Sequence, residues 1–167
     1  APFAIPDDWL RFRSMDWGSA RPFSVGWWAV SGDDYTREAT SSQNGHSLHS
    51  GREGELAQGG NNVLPRGSII RYREWYGSAD HDNQGLKLDA ETVAEGIKQR
   101  EANDKDKIKY GVLDPSTFKW DGGPSIGERI NVVLDKGRHA SFRHADNTRV
   151  PQRGAMSGWD QVRARLQ

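Results

Sequence analysis

The chain has no cysteine. That excludes a disulfide framework and any thiolate-bound metal, and it suits a cytoplasmic protein. It also has no net charge, because 23 basic residues balance 23 acidic ones. A uniformly basic nucleic-acid-binding surface is therefore excluded, while a local basic patch is not. No stretch approaches the roughly 20 apolar residues that span a membrane. The first residues, Ala1-Pro2-Phe3-Ala4-Ile5-Pro6, lack the basic region of a signal peptide. They begin without methionine and read as the cut edge of a longer protein. There is no Gly-x-x-x-x-Gly-Lys-Ser/Thr phosphate loop, no His-Glu-x-x-His zinc motif and no Gly-x-Ser-x-Gly nucleophile elbow. Internal repeats are missing too.

What is present fits one globular domain, or one domain with an appendage. The 167 residues are 34% apolar and 28% charged, and seven tryptophans supply bulky anchors for a core. Residues 9–17 read as a strand, with Leu10, Phe12, Ser14 and Asp16 sharing one face at period two. A turn at Ser19-Ala20-Arg21-Pro22 leads into a second strand over 23–31, so the two form an antiparallel hairpin. Residues 32–67 are rich in Gly, Ser, Asn, His and charge, and read as a polar loop insertion centred on 33–63, with a weak helix around Arg52 to Ala57. A third strand follows at 68–76.

Asp89 is the expected N-cap of a first helix, with Leu88 and Val93 as a hydrophobic staple and Val93 and Ile97 on one face. That helix fades near Asn103. A fourth strand, Ile108 to Leu113, stops at Asp114-Pro115, because proline cannot donate to a ladder. A second helix is expected over 124–134, with Pro124 in its first turn and Ile126, Ile130 and Val133 as its buried stripe. A short fifth strand lies at 140–145. A last helix starts after Ser157, with Trp159, Val162 and Leu166 on one face. Three antiparallel strands followed by alternating helices and strands is the ribonuclease-H-like α/β order with a mixed central sheet.

That order gives meaning to two aspartates. Asp16 ends the first strand and Asp114 ends the fourth, and the fold places these strands side by side. Two carboxylates a few Å apart repel unless a cation sits between them. Mg²⁺ or Mn²⁺ suits such hard oxygen ligands, and a pair of these ions activates water and stabilises the leaving oxygen in phosphodiester cleavage. Taken singly, each aspartate reads as a turn former. Taken together, on this fold, they read as a metal site.

Other acids are set aside. Asp146 follows the fifth strand toward the sheet end but reads more plainly as a turn residue, and Asp160 reads as a helix first-turn acid. Glu74 reads either as a residue behind the metal ligands or as a solvent-facing partner of Arg71 or Arg73. His46 and His49 lie in the insertion, and His139 and His144 flank the fifth strand with little to suggest a general base. Gly122-Gly123-Pro124-Ser125 reads as a helix start more plainly than as a phosphate contact. Arginines cluster around the first strand (Arg11, Arg13, Arg21) and toward the C-terminus (Arg138, Arg143, Arg149, Arg153, Arg163, Arg165). They read equally as phosphate contacts or as solvated surface.

Several blocks resemble one family. Phe12-Arg13-Ser14-Met15-Asp16-Trp17-Gly18, the run Leu64-Pro65-Arg66-Gly67-Ser68-Ile69-Ile70-Arg71-Tyr72-Arg73-Glu74-Trp75-Tyr76, and Tyr110-Gly111-Val112-Leu113-Asp114-Pro115 are similar to the nuclease half of tailed-phage terminase large subunits. Ala145-Asp146-Asn147 and Gly158-Trp159-Asp160-Gln161-Val162-Arg163 add to the resemblance, which covers nearly the whole chain outside 33–63. It implies a ribonuclease-H-like endonuclease that cuts concatemeric double-stranded DNA with Mg²⁺ or Mn²⁺, with Asp16 and Asp114 as the first and second catalytic, metal-binding acids. It further implies work beside an ATPase domain, a terminase small subunit and a portal, in the cytoplasm of a bacterial host, with no membrane partner. The family's third acid, on a late helix in a stretch rich in Asp, His and Ala, has no counterpart in this sequence, and the ATPase domain is absent from it. Two rival readings stand: a resolvase or transposase-like nuclease on the same fold, and a catalytically incomplete domain that only docks DNA or portal.

Overall fold

The computed structural model describes residues 4–32, 35–36, 63–80, 83–148, 160 and 163–164. The weak helix expected around Arg52 to Ala57 lies outside the described residues, as does nearly all of the last helix.

Among the described residues, the strands and the two complete α-helices follow in the order β1 (Leu10–Asp16), β2 (Ser24–Val30), β3 (Tyr35–Thr36), β4 (Val63–Leu64), β5 (Ile69–Tyr76), α1 (Ala90–Arg100), β6 (Ile108–Leu113), α2 (Ile126–Lys136) and β7 (Phe142–His144). Five of the strands build one mixed sheet in the order β5-β2-β1-β6-β7. β1 pairs antiparallel with β2, and β2 antiparallel with β5. β6 joins β1 in parallel, and β7 joins β6 in parallel. This is a mixed α/β architecture, and its five main strands fall where alternation and turn residues place them. β3 and β4 pair with each other at the two ends of the polar insertion, a two-residue ladder that the loop reading missed.

α1 starts where its sequence says it should. The Asp89 carboxylate accepts from the Thr92 N–H at 2.7 Å, satisfying an otherwise unpaired donor of the first turn. Its last helical residue is Arg100, a little before the expected fade. α2 differs more. Ser125 is its N-cap, and a full capping box joins Ser125 to Glu128, so Pro124 precedes the helix instead of opening it. The stripe also shifts. Ile130 and Leu134 are the fully buried residues, while Ile126 and Val133 pack at the edge of the core.

Both helices cover the same face of the sheet. Met15, Phe23, Val25 and Trp27 meet Val93, Ile97, Ile130 and Leu134 there, closed at the β6–β7 side by Leu113 and Phe142. The buried face of β1 is the one that carries Arg11, Arg13 and Met15. Arg11 is 7% exposed and Arg13 is fully buried. Both readings of these two arginines, phosphate contact and solvated surface, are therefore overturned, whereas Arg21, Arg138 and Arg143 are exposed.

Arg13 is accommodated by a charged cluster. One guanidinium nitrogen donates to both Glu101 carboxylate oxygens, at 2.7 and 2.8 Å, and the other donates to the Ala140 carbonyl. The Trp27 indole N–H donates to the same carboxylate at 2.7 Å, and His139 Nδ1 lies 2.8 Å from it. Burial lowers the Arg13 pKa and the Glu101 charge opposes that fall. The Phe142 ring covers the guanidinium at 4.5 Å. Gly111 makes room beneath: a Cβ there would fall 2.6 Å from the Phe142 ring and 3.0 Å from Arg13 Nε.

The opposite face of the sheet closes on itself. Phe12 stacks between Tyr110 (5.3 Å) and Trp28 (6.4 Å), Arg143 lies over Tyr110 and Arg71 over Trp28. The Trp28 indole N–H donates to Ser14 Oγ at 2.8 Å. Glu74 is paired with Arg71 at 3.0 Å on the solvent side, as its solvent-facing reading holds.

Removing one member of a buried ion pair leaves an uncompensated charge, at a cost of about 3–5 kcal/mol. Glu101→Ala is expected to lose that much stability in urea unfolding. Arg13→Met combined with Glu101→Ala should cost less than the two single changes added together. Strict additivity in that cycle would show that the cluster is not one coupled unit.

Candidate active site

The sheet register brings the two expected acids to one place. Met15 of β1 is the parallel partner of Leu113 of β6, and Asp16 and Asp114 are the next residue of each chain segment. Neighbouring strands run about 4.8 Å apart, so the two carboxylates leave the C-terminal ends of adjacent parallel strands. Asp16 remains in the sheet, paired with Ser24 of β2. It is exposed to solvent, whereas Asp114 is half-buried.

Asp114 has a local task as well. It caps the short 3-10 turn Pro115–Phe118, accepting from the Ser116 N–H at 2.8 Å while its carbonyl accepts from the Thr117 hydroxyl at 2.6 Å. The turn-former reading of this residue is thus also true of it. The Ser116 hydroxyl and N–H, a hydrogen bond from Asn147 and the nearby Lys119 charge together hold its carboxyl below the usual aspartate range. A carboxylate kept ionised in this way is a hard oxygen donor in the state that a divalent ion requires.

The surroundings sort the remaining candidates. Asp146 follows β7 at the same end of the sheet. Its carboxylate accepts from the Thr148 N–H at 3.1 Å and from the Thr148 hydroxyl, as a turn aspartate does. His144 is exposed, pairs in register with Leu113 and stacks on Phe118 at 4.4 Å. His139 is buried against Glu101, a structural position. Among the described residues no group of three or more His, Cys, Asp or Glu is arranged to hold a metal. Asp16 and Asp114 are thus two carboxylates at neighbouring strand ends, with no third acid grouped with them among the described residues. The sequence reading missed Ser116, Lys119 and Asn147 as the groups that set the charge of Asp114. Only Ser116 carried a local signal, the Asp-Pro-Ser turn.

No protein family and no curated protein matches the chain by sequence. Two solved structures are similar in part. Both are of the large terminase from one thermophilic bacteriophage, in crystal forms 3 and 2. The first has a TM-score of 0.44 and 14% identity, and covers 84% of this chain and 24% of that one. The second has a TM-score of 0.46 and 16% identity, and covers 87% and 25%. This chain thus spans about a quarter of the length of either terminase.

The lowered carboxyl of Asp114 has a testable pH signature. A group whose folded-state pKa lies below its unfolded value contributes stability that is complete above the unfolded value, about 3.9 for aspartate, and is lost as pH falls through the folded one. A titration followed by the carboxyl ¹³C shift should place Asp114 below that range, and Ser116→Ala should raise it. An unchanged midpoint in that variant would remove the hydroxyl as the main cause.

Proposed function

We propose that this chain is a divalent-metal-dependent DNA endonuclease domain of the terminase large-subunit type, on a ribonuclease-H-like fold. One observation carries the reading: Asp16 and Asp114, nearly a hundred positions apart, leave the ends of adjacent parallel strands in a five-stranded mixed sheet. The blocks around them, Phe12 to Gly18 and Tyr110 to Pro115, are those that resemble the terminase nuclease half. The substrate is concatemeric double-stranded DNA. An ATPase domain, a small subunit and a portal are the partners in the assembled motor, in the cytoplasm of a bacterial host.

The donor set suits Mg²⁺ or Mn²⁺: two carboxylates at one end of the sheet, no thiolate, and one acid held ionised by its neighbours. A divalent ion held by Asp16 and Asp114 would supply the charge that activates water and stabilises the leaving oxygen of a phosphodiester. The chain's own contribution is placement. The β1–β6 register fixes the two acids relative to one another, and the 3-10 turn locks the backbone of Asp114. A second reading, a domain that docks DNA or portal without cutting, draws on the finding that no third acid joins the pair among the described residues.

Supercoiled plasmid incubated with the chain and Mn²⁺ is expected to be nicked, and both Asp16→Asn and Asp114→Asn should reduce nicking to background. Nicking that survives both changes would move the active site elsewhere. A chain that binds DNA but never nicks it would favour the docking reading.

A further inference from the structure

The segment between Asp114 and α2 holds an aromatic side chain that the fold does not use. Trp120 is 80% exposed. A packed tryptophan buries about 150–250 Å², and this one forgoes most of that gain while its neighbours are firmly seated. Thr117 is buried and bonded to the Asp114 carbonyl. Phe118 stacks on His144 and lies so close under α2 that a Cβ at Gly127 would fall 2.4 Å from its ring. On the other side, Ser125 is buried and locked in its capping box. The indole therefore projects from a segment anchored at both ends.

It lines a concavity of about 520 Å³, together with Ser116, Lys119, Asp121, Ser125 and Arg129. Pockets of this order accept a small flat ligand. The cations are unequal. The Arg129 guanidinium is already engaged by both oxygens of Glu91, at 2.8 and 2.5 Å. Lys119 is exposed, and its charge reaches Asp114. In the first turn of α2 the Glu128 N–H already donates to Ser125 Oγ. Asp121 on the wall disfavours a polyanion such as a nucleoside triphosphate. One flat ring, one accessible cation and one acid suit a ligand with a single phosphate and a base.

We propose that this concavity is a subsite for one nucleotide of a DNA strand, its base stacked on Trp120 and its phosphate held by Lys119, beside the Asp16–Asp114 pair. The inference rests on the nuclease reading and adds to it. In an intact duplex each base face is occupied by its neighbours, so the subsite takes a base from a single-stranded or unpaired stretch. The strand being cut is then gripped next to the acids through a base that has left the stack.

The test uses the whole chain and a fluorescein-labelled single-stranded oligothymidylate in EDTA, where no metal-dependent cleavage occurs, read by anisotropy. Trp120→Ala is expected to weaken binding about tenfold, and Trp120→Phe to retain most of it. Lys119→Ala should reduce the steepness of the log–log salt dependence by about 0.7, one phosphate contact on a single strand. Thermal unfolding should be unchanged in the tryptophan variants, because the indole is largely outside the core. Equal affinity of Trp120→Ala and the parent chain overturns the proposal, and so does a parent chain that binds no oligonucleotide. The nuclease reading fails separately, if Mn²⁺-dependent nicking is absent while Trp120-dependent binding persists.

Discussion

The rest of the structure depends on one carboxylate. Glu101 sits at the C-terminal cap of α1 with no exposed surface, and it accepts from Arg13 of β1 and from Trp27 of β2, with the ring of His139 beyond α2 against it. The β1–β2 hairpin, the end of α1 and the segment after α2 are thereby pinned to one point beneath the sheet. A buried charge is costly unless nearly all of its hydrogen-bonding capacity is met, and that requirement admits few arrangements of β1, β2, α1 and the β7 approach. The cluster therefore constrains which packing is allowed, whatever its net contribution to stability. The guanidinium also lies beneath β6 at Gly111, so the constraint extends to the strand that leads into Asp114.

Much of the scaffold was legible from short-range chemistry. Alternation set β1, β2 and β5, the Asp-Pro pair set the end of β6, and Asp89 and its staple set the start of α1. Each of those signals lies within a few residues of the element that it defines. The ribonuclease-H-like reading carried the expectation that Asp16 and Asp114 end neighbouring strands, and the β1–β6 pairing supplies that adjacency.

What was not legible was long-range. Period two divides β1 into two faces without saying which one the helices cover. Leu10, Phe12 and Asp16 made one face prominent, yet the helices cover the face with two arginines. The acid that makes this tolerable is 88 positions away from Arg13, at the end of a helix whose own sequence does not mark it as buried. The other face, apolar enough to pass for core, is satisfied by rings stacked across strands with arginines at the ends of the row. Asn147, which bears on Asp114, is likewise brought to it by the return of the chain after β7, whereas Lys119 reaches it across the 3-10 turn. The capping box of α2 was readable in principle, since Ser125 and Glu128 stand three apart. Pro124 was the more conspicuous residue and drew the boundary too early.

The polar insertion leaves the sheet between β2 and β5, two strands that already pair antiparallel. The exit is closed by its own bonds. The Ser31 N–H donates to the Ser68 carbonyl, the Gly67 N–H donates to the Ser31 carbonyl, and the Ser31 hydroxyl donates to the Pro65 carbonyl. The β2–β5 stem is thus closed by bonds among residues 31 and 65–68 alone. The entropy of closing such a loop rises only logarithmically, by about 0.6 kcal/mol for each doubling of length. The stem is thus a socket: loops of very different length and composition can be exchanged there during evolution, or grafted there by design, while the register that sets Asp16 beside Asp114 stays untouched.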